Sequence, residues 1–140
     1  MKTYYELISY LDSLIKISID NNIIDELNNF KIDLKSDRYY RFVIQLSYIL
    51  NEKLKNSFDN LLSKSYDITD NDSLILELNV FKEEKDSLLS LLTINLLKDD
   101  EKEKLINELN DNYNKSLGKL RDSYDSEDTI RIIDNFIGGK

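Results

Sequence analysis

The stretch that decides the fold is Tyr39–Leu62, "YYRFVIQLSYILNEKLKNSFDNLL". Its apolar residues recur every three or four positions over about six turns, the spacing that places side chains on one face of an α-helix. Ser36 or Asp37 is expected to cap this helix at its N-terminal end. The stretch therefore predicts one long amphipathic helix, whose apolar face consists of Tyr39, Val43, Leu46, Leu50, Leu54, Phe58 and Leu61.

Two shorter helices are predicted before this one. Thr3 and Glu6 have the spacing of a capping box and open a first helix, which the polar run Asp20–Asn22 is expected to end. A short second helix follows directly. The apolar faces of these two helices are Leu7, Ile8, Leu11 and Ile15, and then Ile23, Leu27, Phe30 and Leu34.

Three helices are predicted after it. The run "DITDND" at 67–72 breaks the chain before a fourth helix, for which an interruption near Asp86 stays open; "KDDEKEK" at 98–104 opens a fifth, and Glu127–Phe136 forms a short sixth that Gly138 and Gly139 end. Their apolar positions are Leu74, Leu78, Phe81, Leu88, Leu92 and Leu96, then Ile106, Leu109, Tyr113, Leu117, Leu120 and Tyr124, then Ile130, Ile133 and Phe136.

Strand patterns are almost missing from the sequence. Only "IKISI" at Ile15–Ile19 alternates, and a lone strand has nothing to pair with. No proline interrupts the chain of 140 residues, and the first glycine is Gly118. The sequence predicts an all-α fold, a mostly antiparallel bundle of about five to six helices, forming a single domain over residues 1–140.

The composition excludes most catalytic chemistry. The chain has no His, Cys, Trp, Pro or Ala. Without His and Cys there is no Ser-His-Asp triad, no thiol nucleophile and no Cys/His zinc site, and the few glycines form no phosphate-binding loop. The "DITDND" run lacks the glycine and the final acid of a calcium loop. Paired carboxylates such as Glu83 and Glu84 lie beside lysines on solvated faces. We therefore expect no enzyme activity, no cofactor and no metal.

The location of the protein is predicted from what the sequence lacks. The longest apolar run, Leu88–Leu97, has about half of the roughly 20 residues that a membrane span needs. No signal peptide is visible, and the lack of Cys fits a reducing compartment. A cytoplasmic protein without membrane contact is expected.

Charge is divided unevenly along the chain. Residues 1–66 carry nine Lys/Arg and nine Asp/Glu, whereas residues 67–140 carry ten and eighteen, so the whole net charge of −8 lies in the second half. Because phosphate contacts need clustered Lys and Arg, this division argues against direct binding of nucleic acid or of an anionic membrane. A partner attracted by charge should be basic.

The motif "SYDITD" at Ser65–Asp70 returns almost unchanged as "SYDSED" at Ser123–Asp128. Both copies lie between helices, where carboxylates cap free backbone N–H groups and favour the positive end of the helix dipole. In an up-and-down bundle the fourth and sixth helices begin at the same end and the fifth at the other, so the two bends should meet. The predicted partner-binding residues are Tyr66, Asp67, Asp70, Asp72, Tyr124, Asp125, Glu127 and Asp128.

Two functions stay open at this point. The first is a non-enzymatic acidic binding protein that covers the active surface of a basic partner, as an immunity protein or antitoxin does with a nuclease toxin, or as a phage-type inhibitor does. The alternative is a homo-oligomeric structural protein, for instance a homodimer, that uses the apolar segment Leu88–Leu97 as its contact. The pairs Tyr4-Tyr5 and Tyr39-Tyr40 are each expected to turn one ring to the core and one to solvent.

Overall fold

The chain forms a bundle of α-helices, as a computed structural model of residues 3–16, 18–33 and 35–138 describes it. No extended strand occurs within these ranges, and the all-α prediction is confirmed. The helices are Tyr4–Ser13 (α1), Asn21–Asn28 (α2), Asp37–Ser65 (α3), Asn71–Leu91 (α4), Asp99–Asp122 (α5) and Glu127–Asp134 (α6), and a 3₁₀ turn, Leu14–Lys16, follows α1 directly.

The long helix α3 is the centre of the bundle and packs against α1, α4 and α5. Six of its seven predicted core residues are buried, and Val43 is half-buried. Phe42 and Ile49 are buried as well, although the predicted face did not include them. Because α3 has neighbours on several sides, its apolar face is wider than the single stripe that a helix lying on a surface would need.

Helices α3 and α5 run parallel and pack directly against each other, and α4, which connects them in sequence, runs antiparallel to both. The Tyr39 hydroxyl accepts a hydrogen bond of 2.9 Å from the backbone N–H of Lys98, which places the start of α5 at the start of α3. Further along, the Ser47 hydroxyl donates to the Glu108 carboxylate at 2.8 Å. The start of α4 therefore lies at the opposite end of the bundle from the starts of α3 and α5.

An aromatic cluster fills the space where α3, α4 and α5 meet. The rings of Phe81 and Tyr113 stack with centroids 4.9 Å apart, and Phe58 lies 5.7 Å from Phe81. The ammonium group of Lys85 lies 4.5 Å from the centre of the Tyr113 ring and 3.3 Å from an Asp86 oxygen. Lys85 is only 4% exposed, so the ring face and the carboxylate replace the water that a buried cation loses.

Several predicted boundaries were wrong. Asp20 does not end α1 but caps α2, because its carboxylate accepts a hydrogen bond from the Ile23 N–H at 3.2 Å. The interruption near Asp86, which the sequence left open, does not occur, but α4 ends at Leu91, before its predicted positions Leu92 and Leu96. Helix α6 ends at Asp134 rather than at Phe136, although the Phe136 side chain still packs against the core.

Other local predictions were confirmed. Thr3 accepts from the Glu6 N–H at 3.2 Å, as a capping box requires. In each tyrosine pair the second ring is exposed: Tyr5 and Tyr40 face solvent, while Tyr39 is buried and Tyr4 packs against the core. The predictions on Leu34, on Gly139 and on Ile17 within "IKISI" lie outside the described residues.

The apolar segment Leu88–Leu97 lies inside the bundle. It contains the end of α4 and the turn that leads to α5, and its buried side chains are Leu88, Leu91, Leu92, Ile94, Leu96 and Leu97. The segment therefore contributes to the core of this chain. A homo-oligomer that used it as a contact would first have to expose these side chains.

We predict that Tyr39→Phe lowers the free energy of unfolding by about 1 kcal/mol, because the Lys98 N–H loses its acceptor while the ring stays in place. Urea unfolding measures the change. Tyr40→Phe is the matched control: the Tyr40 hydroxyl takes part in no hydrogen bond with the described residues, and its loss should change stability by less than about 0.5 kcal/mol. Equal effects of both substitutions would contradict the role of the Tyr39 hydroxyl.

Candidate functional site

The two SYDxxD bends lie at the same end of the bundle. The Thr129 hydroxyl, in the first turn of α6, donates to the side-chain oxygen of Asn71, at the start of α4, over 3.1 Å. The bends follow the C-terminal ends of the parallel helices α3 and α5. We call the eight residues around this contact the acidic end: Tyr66, Asp67, Asp70, Asp72, Tyr124, Asp125, Glu127 and Asp128.

In the first bend, Asp70 caps helix α4. Its carboxylate accepts from the backbone N–H of Ser73 at 2.7 Å and from the Ser73 hydroxyl at 3.0 Å. These hydrogen bonds, above all the one from the backbone N–H, hold the pKa of the Asp70 carboxyl below its usual value, because they favour its charged form. Asp70 therefore acts as the N-cap of its own helix, as predicted for a carboxylate between two helices.

The second bend is built differently, although its sequence is nearly the same. Ser126 is the N-cap of α6 and Asp128 lies within the first turn, so α6 begins two positions earlier in the motif than α4 does. At the position of Ser126 the first bend has Ile68, whose side chain packs against the core. A serine there suits an N-cap residue, whereas an isoleucine does not. A carboxylate cap was predicted for both bends, and of the two only the first has one, at Asp70.

Five carboxylates of the acidic end remain available to a partner. All five are exposed, and none makes an ion pair or side-chain hydrogen bond with any residue that the structure describes. They are Asp67, Asp72, Asp125, Glu127 and Asp128.

The nearest bases do not neutralise these carboxylates. Lys64 pairs with Glu77 at 3.4 Å, and Arg121 pairs with Asp134 at 3.0 Å. The bond to Asp134 raises the pKa of Arg121, so this cation stays charged and engaged. Lys64 and Arg121 are thus paired with acids other than these five. Lys119, in the last turn of α5, and Arg131, in α6, make no ion pair with the described residues, and two such bases against five carboxylates leave the potential around the bends negative.

The two tyrosines of the acidic end differ in exposure. Tyr66 is 85% exposed, whereas Tyr124 is half-buried and packs against the core. Leu76 lies next to the first bend, in a shallow recess that Asp67, Asp70 and Glu77 also line, and its side chain is exposed. A cationic side chain can lie over the face of an exposed tyrosine while a neighbouring carboxylate accepts its N–H groups. Tyr66 fits this role better than Tyr124 does.

A second group of acids lies at the other end of the bundle. Asp99, Asp100 and Glu101 form the first turn of α5, which the contact of Lys98 with Tyr39 places beside the start of α3. The bundle therefore carries negative charge at both ends, with more of it around the start of α4 and α6.

An exposed apolar stripe runs along α3 that was not predicted from the sequence. Tyr40, Ile44 and Tyr48 are all exposed, and their spacing of four residues places them in one line on the helix. Their signal in the sequence is a second apolar series that is offset by one residue from the core positions Tyr39 and Val43. A single helical wheel merges the two series, because both lie within one broad apolar sector.

Comparison with known proteins found no matching family model, no matching curated protein and no matching solved structure. Among residues 3–16, 18–33 and 35–138, no helix has the length and apolar character needed to cross a membrane. Within the same ranges, no three acidic side chains converge in a way that could hold a metal ion.

Proposed function

We propose that the chain is a non-enzymatic acidic binding protein that neutralises a basic partner by covering the partner's active surface. The class that fits best is an immunity protein or antitoxin against a nuclease-type toxin, or a phage-type inhibitor of a protein that handles nucleic acid. Such partners have Lys- and Arg-rich substrate grooves, which a negative and preformed surface complements. On this proposal the chain works in the cytoplasm and needs no cofactor.

The observation that carries the proposal is the contact between Thr129 and Asn71. It brings together two bends that are 58 residues apart in the sequence. Five carboxylates that form no ion pair with the described residues therefore lie at the same end of the bundle. Like charges at one end of a small domain oppose folding. That the charges are nevertheless gathered at one end supports a function in which a cationic partner offsets their repulsion.

The mechanism would proceed in two steps. Long-range attraction between the negative surface and the basic groove would speed the encounter and orient it. Tyr66 and the carboxylates beside it would then contact Arg and Lys side chains that otherwise bind phosphates. The inhibitor would block the groove by occupying it and would need to carry out no reaction.

We predict that Asp67→Asn, Asp125→Asn and Asp128→Asn together slow association with the partner by about ten-fold at low salt, because long-range attraction is lost. The wild-type chain serves as bait in the cell that encodes it, and the retained basic protein is then purified for stopped-flow measurement. The inhibitor should abolish the nuclease activity of that protein at an equimolar ratio.

The control variant removes the same charge elsewhere. Asp12→Asn, Asp25→Asn and Asp111→Asn neutralise three exposed carboxylates that have no ion pair in the described chain. This variant should associate at nearly the wild-type rate. The proposal that the acidic end speeds association would be contradicted by a rate that does not change with ionic strength. It would also be contradicted if both variants associated equally slowly.

A further inference from the structure

The stripe on α3 borders a groove between α3 and α5. The exposed fractions of Tyr40, Ile44 and Tyr48 are 56%, 67% and 58%, which is high for three large apolar side chains in one line. Exposed apolar patches of this kind are characteristic of protein–protein contacts. Beside the stripe, Val43 and Leu105 are lining residues of a groove of about 450 Å³ between the two helices.

The groove is built on rigid parts of the bundle. Two of its lining residues join the helices, because the Glu108 carboxylate accepts from the Ser47 hydroxyl. The same carboxylate accepts from the side-chain amide of Asn51, to which Asn112 donates at 2.7 Å. These hydrogen bonds fix the distance between α3 and α5. The Tyr40 ring is held edge-on against the buried Tyr39 ring, with centroids 5.8 Å apart. A preformed groove loses little entropy when a partner enters it.

The charges around the groove indicate the chemistry of its occupant. Three acids, Asp100, Glu101 and Glu108, line it, against one base, Lys104. The acids all lie on the α5 side, opposite the apolar side chains of α3, an arrangement that complements a helix with an apolar stripe and a row of Lys and Arg along one side of it. The stripe from Tyr40 to Tyr48 extends about 12 Å, the length of roughly two helical turns. Its spacing matches side chains at positions i, i+4 and i+8 of such a helix.

We propose that the groove between α3 and α5 binds one basic amphipathic helix of a partner protein. Tyr40, Ile44 and Tyr48 contact the apolar side chains of that helix, and the acids of α5 contact its Lys and Arg residues. The groove is separate from the acidic end, since Tyr48 and Tyr66 are about 27 Å apart along α3. The groove would therefore be a second binding surface, in addition to the acidic end, and it would select partners that present a helix.

A second copy of this chain fits the groove poorly. It would bring another set of Asp100, Glu101 and Glu108 against the first, and the whole chain carries a net charge of −8. Like charges brought together in an interface cost several kcal/mol. The charge of the groove thus favours a basic helix over a homodimer.

The test uses a synthetic peptide as the probe. It is a capped 16-residue helix with leucines at i, i+4 and i+8 and with lysines and arginines along the one flank that would face α5. We expect saturable binding to the wild-type chain, measured by fluorescence anisotropy at two salt concentrations. Tyr40→Gln, Ile44→Gln and Tyr48→Gln together should weaken the affinity by about ten-fold or more, because aromatic and apolar anchors dominate such contacts.

Two controls make this result specific. Leu76→Gln with Val80→Gln removes an exposed apolar pair, also four residues apart, from α4, and it should leave the affinity unchanged. A peptide with the same composition in scrambled order, which has no apolar stripe, should bind at least about ten-fold more weakly. Circular dichroism confirms that each variant remains folded.

Three outcomes would overturn the proposal. Undiminished binding by the Tyr40, Ile44 and Tyr48 variant would place the peptide elsewhere. Loss of binding only in the Asp67, Asp125 and Asp128 variant would assign the peptide to the acidic end, which would leave the proposed function intact. A wild-type dimer that this stripe variant converts to a monomer, seen by sedimentation, would make a second copy the occupant. Conversely, a groove that binds the peptide would stand even if the acidic end proved to have no partner.

Discussion

Replacing Phe81 by alanine is expected to lower the free energy of unfolding by about 3–5 kcal/mol. Phe81 is buried where α3, α4 and α5 meet, stacked on Tyr113 and in contact with Phe58. Its removal would leave a cavity that these two rings cannot fill, because each is held by its own helix. A domain of this size has about 5–15 kcal/mol of stability in total, so the substitution would bring the chain close to unfolding.

Urea unfolding at neutral pH measures this loss, with Val80→Ala as the control. Val80 is the neighbour of Phe81 on α4, and its side chain is exposed. Truncation of this exposed side chain to alanine should cost less than about 1 kcal/mol, since the side chain is already largely in water. A Phe81→Ala variant about as stable as the Val80→Ala variant would show that the three rings do not form the centre of the core.

Phe81 also shows how far the sequence predicts this fold. Its place in the series Leu74, Leu78 and Phe81 was enough to assign it to the buried face of a helix. Helical periodicity depends only on neighbours in sequence, and those are read directly from the chain. The stacking of Phe81 on Tyr113 could not be predicted in the same way, because it depends on how α4 and α5 lie against each other.

The ends of helices were harder to predict than the faces. Asp20 could end one helix or begin the next, because the same side chain that breaks a helix also caps one. The two SYDxxD bends make the same point, since Ile68 and Ser126 give nearly identical motifs different helix starts. What decides each case is whether a neighbouring residue packs against the core, and that is a tertiary property.

The meeting of the two bends followed from topology rather than from local sequence. Short connections between antiparallel helices predict that α4 and α6 begin at one end, and the Thr129–Asn71 contact agrees with this. The groove beside Tyr40 and Tyr48 was missed for a related reason. It needs the distance between two parallel helices that are separated by α4 in the sequence, and no local pattern encodes that distance.

Alkaline pH is expected to destabilise the chain through Tyr113. Burial, which opposes the charged form, raises the pKa of the Tyr113 hydroxyl to about 12, and the nearby Asp86 carboxylate adds to this effect. In the unfolded chain the same hydroxyl loses its proton near pH 10. Below pH 10 the hydroxyl keeps its proton in both the folded and the unfolded state, so the free energy of unfolding is not lowered by its ionisation. As the pH rises from 10 toward 12, only the unfolded state ionises, and the folded state loses about 2–3 kcal/mol relative to it.

Tyr113→Phe tests this assignment, because it keeps the ring that packs on Phe81 and removes the group that titrates. The Tyr113 hydroxyl has no hydrogen-bond partner among the described residues, so its loss at neutral pH should leave stability unchanged or raise it by up to about 2 kcal/mol. Urea unfolding between pH 8 and pH 11.5 should then show a shallower decline than the wild type. Some decline should remain, because burial also raises the pKa of Tyr39 and of Tyr10. Tyr66→Phe removes an exposed hydroxyl and should decline as the wild type does. If Tyr113→Phe declined equally steeply, the alkaline transition would have to originate in groups other than the buried phenol at the centre of the bundle.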